Sequence, residues 1–240
     1  MRFYPRARWL AGLTIALGTV SGPAPQRPVA TGRIEGTVVL APSLSARKPR
    51  FRPYADYGPS AALPKEVPDT NELINVVVYL DSVADGGDLP APSHTPTLEQ
   101  LNERFVPHVL PVLKGATVEF PNRDPVFHNV FSLSSVRTFD LGRFPKGESK
   151  SIRFPKAGLV QVFCHIHSDM SAVILVLDNP LFSVPNSHGH YTIDQVPPGE
   201  YRVVAWHERI KPITERVRVT AGQTAVLDFT IPLPAQPSQP

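Results

Sequence analysis

Proline takes 28 of the 240 positions in this chain, and the residues between the prolines fall into short apolar runs. A proline inside a helix removes a backbone hydrogen bond and clashes with the preceding turn, so this density works against long helices. Turns and edge strands tolerate it. The runs have the length and alternation of strands. Gly32 to Leu40 and Asn75 to Leu80 are two of them. From Phe105 they come densely: His108 to Leu113, Ala116 to Phe120, Phe127 to Leu133, Ser149 to Phe154, Leu159 to Cys164 and Ala172 to Leu177. Tyr191 to Ile193, Tyr201 to Trp206, Ile213 to Val219 and Thr224 to Ile231 continue the pattern. Turn sequences such as Lys114-Gly115, Asn122-Arg123-Asp124-Pro125 and Lys156-Ala157-Gly158 separate them. The expected fold class is all-β, an antiparallel sandwich. Residues 98–104 admit two readings: a helical turn from Leu98 to Arg104 behind the capping box Thr97-Leu98-Glu99-Gln100, or a strand leading into Phe105. Residues 41–72 and 82–96 read as loops, and the tail 233–240 as disordered.

The N-terminus has the form of an export signal, residues 1–24. Arg2, Arg6 and Arg8 precede an apolar stretch from Trp9 to Val20, too short to span a bilayer. A small, proline-rich region follows. The alternative is an uncleaved anchor. These three arginines account for the whole formal charge of +3, so the mature chain is neutral and no nucleic-acid partner is expected. No stable membrane insertion is expected once the signal is removed. The basic run Arg47 to Arg52 lies in a proline-rich stretch and reads as a solvated loop.

An exported chain is permitted disulfides. This one has a single cysteine, Cys164, so it forms none within itself, and a lone thiol in an oxidising compartment calls for something that occupies or buries it. Cys164 stands in Phe163-Cys164-His165-Ile166-His167-Ser168-Asp169-Met170, which gives C-x2-H-x2-M just after a strand. His128 opens a strand upstream. One thiolate, two imidazoles and one thioether form the donor set of a mononuclear type 1 copper site. Soft thiolate suits Cu(I), imidazole suits copper generally, and a weak thioether helps tune the potential. Adjacent side chains on an extended segment point to opposite faces, so with Cys164 inward His165 points away. His94 and His108 are the competing sources of the second imidazole; one lies in a proline-rich loop and the other has no evident partner in sequence. Structural zinc usually takes several cysteines, and a thiolate-bridged binuclear copper needs two.

Around these residues the chain resembles the cupredoxins, the plastocyanin and amicyanin family. The resemblance covers roughly residues 99–180 and is carried by Phe105-Val106-Pro107-His108, Val112 to Asp124, Phe127-His128-Asn129-Val130-Phe131, Gly158 to Cys164, and His167-x2-Met170. It implies a Greek-key sandwich binding one Cu(I)/Cu(II) per chain through His128, Cys164, His167 and Met170. It also implies that Asn129 ties the two ligand loops together by hydrogen bonds and that the ring edge of His167 reaches the surface as the electron port. Transient redox protein partners and a periplasmic or secreted location go with it.

A second resemblance, to the carboxypeptidase-regulatory-like β-sandwich, is carried by Tyr191 to His207. Gly32 to Leu40 and Asn75 to Leu80 fit its opening strands. The expected layout is a discontinuous module, residues 32–85 with 181–232, holding the copper domain, residues 99–180, as an insert. Separate β units packed in sequence are the alternative. His188-Gly189-His190 reads as a turn with exposed histidines or as a second metal pair, and Trp206-His207 as a core residue followed by a hydrogen-bonded edge residue or as a pair near the copper domain.

Four functional classes compete. An exported one-electron carrier, with no catalysis by the polypeptide, leads. A copper-storage or delivery protein is the alternative, a multicopper oxidase or nitrite reductase needs further histidine ligands, and a module with a vestigial site binds no copper. Replacement of the thiolate decides the ligand assignment: Cys164→Ser is expected to abolish the blue absorption of the copper-loaded protein. Survival of the band in an optical spectrum would remove Cys164 from the metal.

Overall fold

The computed structural model describes residues 30–41, 71–83 and 94–231. The segments expected as an export signal and a disordered tail, and most of those expected as two long loops, lie outside these residues. Among the described residues no helix is long and apolar enough to cross a membrane.

Among the described residues, seventeen strands and one short 3-10 turn, Glu72–Asn75, follow in order. They are β1 Gly32–Leu40, β2 Val77–Leu80, β3 Glu99–Gln100, β4 Phe105–Val106, β5 Val109–Leu113, β6 Thr117–Pro121, β7 His128–Ser132, β8 Phe139–Phe144 and β9 Ser149–Arg153. The remainder are β10 Gly158–Phe163, β11 Ser171–Leu177, β12 Phe182–Ser183, β13 His190–Val196, β14 Gly199–Trp206, β15 Ile213–Val219, β16 Thr224–Val226 and β17 Phe229–Ile231.

These strands build layers joined through three apolar cores. The first layer is β13-β1-β16, with β17 also on β1, and the second is β12-β2-β14-β15. Ile34, Val38, Val78, Leu80, Ile193, Val203 and Phe229 fill the core between them. The third layer is the five-stranded sheet β5-β11-β10-β7-β8. Facing it, β6 pairs with β9 and β3 with β4, and bridges Thr97–Glu119 and Gln100–Asn122 join the two pairs. Val118, Phe120, Val160, Val162, Ile174 and Val176 fill the core of this sandwich. The chain crosses between its two sheets from β5 to β6, β6 to β7, β8 to β9 and β9 to β10.

A third core, Val77, Val109, Val173, Leu175, Leu177, Val204 and Trp206, joins the second layer to the third. It explains the sequences of three strands. Side chains alternate faces along a strand, and in β11 Ala172, Ile174 and Val176 enter the sandwich core while Val173, Leu175 and Leu177 enter the joining core. In β2 Val78 and Leu80 face one core and Val77 the other. In β14 Val203 and Ala205 are separated from Val204 and Trp206 in the same way. A strand covered on both faces reads as a continuous apolar run. The polar part of this junction is a pairing of His108 Nε2 with Glu208 Oε1 at 2.8 Å.

Several expectations change. The first and third layers are mixed rather than antiparallel: β5 runs parallel to β11, and β16 and β17 run parallel to β1. No helical turn spans Leu98 to Arg104; β3 pairs with β4, and Asn102 and Glu103 take left-handed φ values of 55° and 53°. The strand alternative holds there. The run from Thr224 to Ile231 breaks at Leu227-Asp228, where Asp228 Oδ1 accepts the Thr37 N–H. Gly36 is required by close approach: a Cβ there would lie 1.8 Å from the Leu227 carbonyl oxygen. Trp206 is core and His207 is fully buried, held by Glu72 Oε2 at 3.3 Å, rather than an edge residue. His188-Gly189-His190 forms the turn into β13.

Truncating the largest side chain of the joining core tests its weight. Trp206→Ala is expected to lower the unfolding free energy by about 3 kcal/mol, read from a denaturant midpoint at unchanged slope. An unmoved midpoint would mean that this layer adds nothing to stability.

Candidate metal centre

Cys164 follows β10 and Met170 precedes β11, so the seven residues of C-x2-H-x2-M are the connection between two paired strands. The loop closes on itself: Met170 N–H donates to His167 O at 3.1 Å, and Cys164 N–H to Met170 O at 3.3 Å. Alternation along β10 turns Val160, Val162 and then Cys164 into the sandwich core. Met170 is buried in that same core. His128, at the start of β7, is wholly buried, and β7 pairs with β10.

The fold brings His128, Cys164 and His167 to one point. His128 Nδ1 lies 3.1 Å from His167 Nδ1, and Cys164 Sγ lies 4.0 Å from the first and 3.9 Å from the second. These edges are short enough for one ion to reach all three atoms at ordinary metal–imidazole and metal–thiolate bond lengths of about 2.0 to 2.3 Å. Two imidazoles and a thiolate, with a thioether in the same core, are the donor set of a blue-copper centre. The donors present fit that ion.

The histidine tautomer follows from Asp124, which sequence reasoning read only as part of a turn. Its Oδ2 sits 2.8 Å from His128 Nε2, with both side chains buried. An ionised carboxylate only accepts, so Nε2 carries the proton and Nδ1 keeps its lone pair toward Cys164 and His167. Burial alone disfavours the charged form of Asp124, but the Glu103 N–H, the His128 ring and the Asn102 N–H outweigh it and hold the carboxyl below its usual range. Asn122 shapes the turn: its Oδ1 accepts the Asp124 N–H, and its amide donates to the carbonyls of Val126 and Phe144. The signal that would have found Asp124 is an acidic residue four places before a ligand histidine.

Asn129 Oδ1 accepts the His165 N–H at 3.3 Å and its amide donates to Asp140 Oδ1, which links β7 to the ligand loop and to β8. Cys164 Sγ also accepts the Ile166 N–H at 3.4 Å, as a thiolate would. His165 does not join the cluster. Its half-exposed ring stacks on Phe131 at 3.7 Å with a 4° interplanar angle. His94 is exposed, and His108 is engaged by Glu208 and the Ser171 carbonyl. His167 is only partly buried and, with Val126, Phe127, Arg143 and Ile166, lines an apolar surface hollow.

Residues 172–232 match the carboxypeptidase regulatory-like domain. That match begins inside β11. No curated protein matches the chain. Solved structures similar to it include the copper-containing nitrite reductase of Thermus scotoductus SA-01, 28% identical with a TM-score of 0.35 over 40% of this chain and 25% of that one. They also include a purple cupredoxin of Nitrosopumilus maritimus, 19% identical with a TM-score of 0.32 over 34% and 99% of the two chains. A proline-to-glycine variant of amicyanin in its reduced Cu(I) form is 22% identical, with a TM-score of 0.33 over 42% and 98%. The chain spans a quarter of the nitrite reductase's length.

The two loop histidines separate cleanly in a test. His167→Ala is expected to remove the visible copper band, whereas His165→Ala leaves band and copper content unchanged. The reverse pattern in optical spectra would exchange their roles.

Proposed function

We propose that this protein is an exported mononuclear copper protein that carries single electrons between redox partners. The observation that carries the reading is the close approach of two ring nitrogens and one sulfur, from His128, His167 and Cys164, with Met170 buried in the same core as Cys164. A bound copper supplies a one-electron Cu(II)/Cu(I) couple. The chain's residues do the rest. Cys164 supplies the thiolate that binds either oxidation state. His128 is locked by Asp124 in the tautomer that offers Nδ1. The ligand loop is fixed at both ends by β10 and β11, so little rearrangement accompanies a change of charge.

His167 is the port in this reading, because it is the ligand that reaches the surface. The exposed side chains of Val126, Phe127 and Ile166 surround it. A small apolar face suits weak, brief contact with a redox protein. We assign residues 99–180 as the copper domain and residues 32–85 with 181–232 as a regulatory-like sandwich that carries it. We assign residues 1–24 as the export signal and the mature protein to the periplasm or the extracellular space. Storage or delivery of copper is the competing reading and differs in one property, the lack of redox cycling.

Copper loading of the exported protein is expected to give one copper per chain by metal analysis. Its blue band should bleach with ascorbate and return with ferricyanide. A colourless Cu(I) form that does not cycle would favour storage, and more than one copper per chain would contradict a simple carrier.

A further inference from the structure

The buried carboxylate of Asp124 adds a second anionic group close to the Cys164 thiolate, and the chain is built to keep it charged. Its side chain is 5% exposed, while that of His128 is 0% exposed. Oδ1 accepts the Asn102 N–H at 2.6 Å, and Oδ2 accepts the Glu103 N–H at 2.7 Å as well as the His128 ring. Both backbone donors come from residues in the left-handed region, φ 55° and 53°. Residues other than glycine seldom adopt it. Two successive N–H groups aimed at one point form an anion-binding concavity. Among the described residues no lysine or arginine pairs with Asp124; its ion-pair partner is the ligand His128.

The consequence is a matter of charge. Beside Cu(II), the Cys164 thiolate and the Asp124 carboxylate bring the buried cluster to neutrality. Uptake of one electron from a reductant leaves it with one negative charge, and an uncompensated buried charge is unfavourable. Without the carboxylate the same electron would turn a cationic cluster neutral. Asp124 therefore opposes reduction.

We propose that Asp124, acting through His128, is the residue that biases the bound copper toward Cu(II) and lowers its reduction potential. This rests on the copper reading above, and the two are tested separately. The copper-loaded mature protein is equilibrated with ferrocyanide–ferricyanide mixtures, and the Cu(II) to Cu(I) ratio is read from the visible band. Asp124→Asn is expected to shift that ratio at least tenfold toward Cu(I), about 59 mV for a one-electron couple. Asp124→Ser, a second neutral variant of smaller size, should shift it in the same direction. Asp124→Glu, which keeps the charge, should stay near the wild-type ratio. An unmoved ratio in a neutral variant that still binds one copper would overturn this inference and leave the copper reading standing. An equal shift in Asp124→Glu would also overturn it, because packing rather than charge would then be responsible. A wild-type chain that binds no copper would overturn both.

Discussion

Burial of both faces of β11 is the constraint on which the rest depends. One face of that strand completes the sandwich core and the other the core shared with β2 and β14. A strand held from two sides has little freedom to shift, and the ligand loop hangs from its first residue. Cys164 is fixed at the other end by β10, whose six residues are all in register with β11. The proposed metal donors are thereby preorganised by strand pairing, which gives a site on a short loop its precision. The flanking layers have a role in this account: they cover the face of β11 that the sandwich alone leaves open.

The site's electrostatics follow the same logic. A thiol, one imidazole and a carboxylate are buried together, with the partly buried ring of His167 at their edge, and hydrogen bonds order the cluster. Asp124 sets the His128 tautomer, Asn129 positions the loop backbone at His165, and the Ile166 N–H points to the Cys164 sulfur. The 101–104 turn adopts left-handed backbone so that its N–H groups meet Asp124.

Much of this was legible in the chain. Strands bounded by glycine or proline, such as β9 and β10, were found to within a residue or two, because punctuation and alternation agree there. The residues that the fold brings together were legible because their chemistry is rare: one cysteine in 240 residues, with histidine and methionine at fixed spacing. The strand Phe139–Phe144 escaped notice because only its last residue is buried, and Gly142 interrupts its pattern at φ 66°. Parallel pairing of β5 with β11 was illegible in principle, since a period of two records which face is buried and not the direction of the neighbour. Asp124 escaped for a related reason. Its spacing to His128 is local, but the N–H groups that hold its charge come from residues 102 and 103, more than twenty positions away, and from backbone angles that no local motif announces.

The central claim is a single copper held by two imidazoles and one thiolate. X-ray absorption at the copper edge of the loaded protein measures that set most directly. The account predicts two nitrogen ligands and one short sulfur, with no second copper nearby. A shell of nitrogen and oxygen alone, or a copper–copper distance, would contradict it.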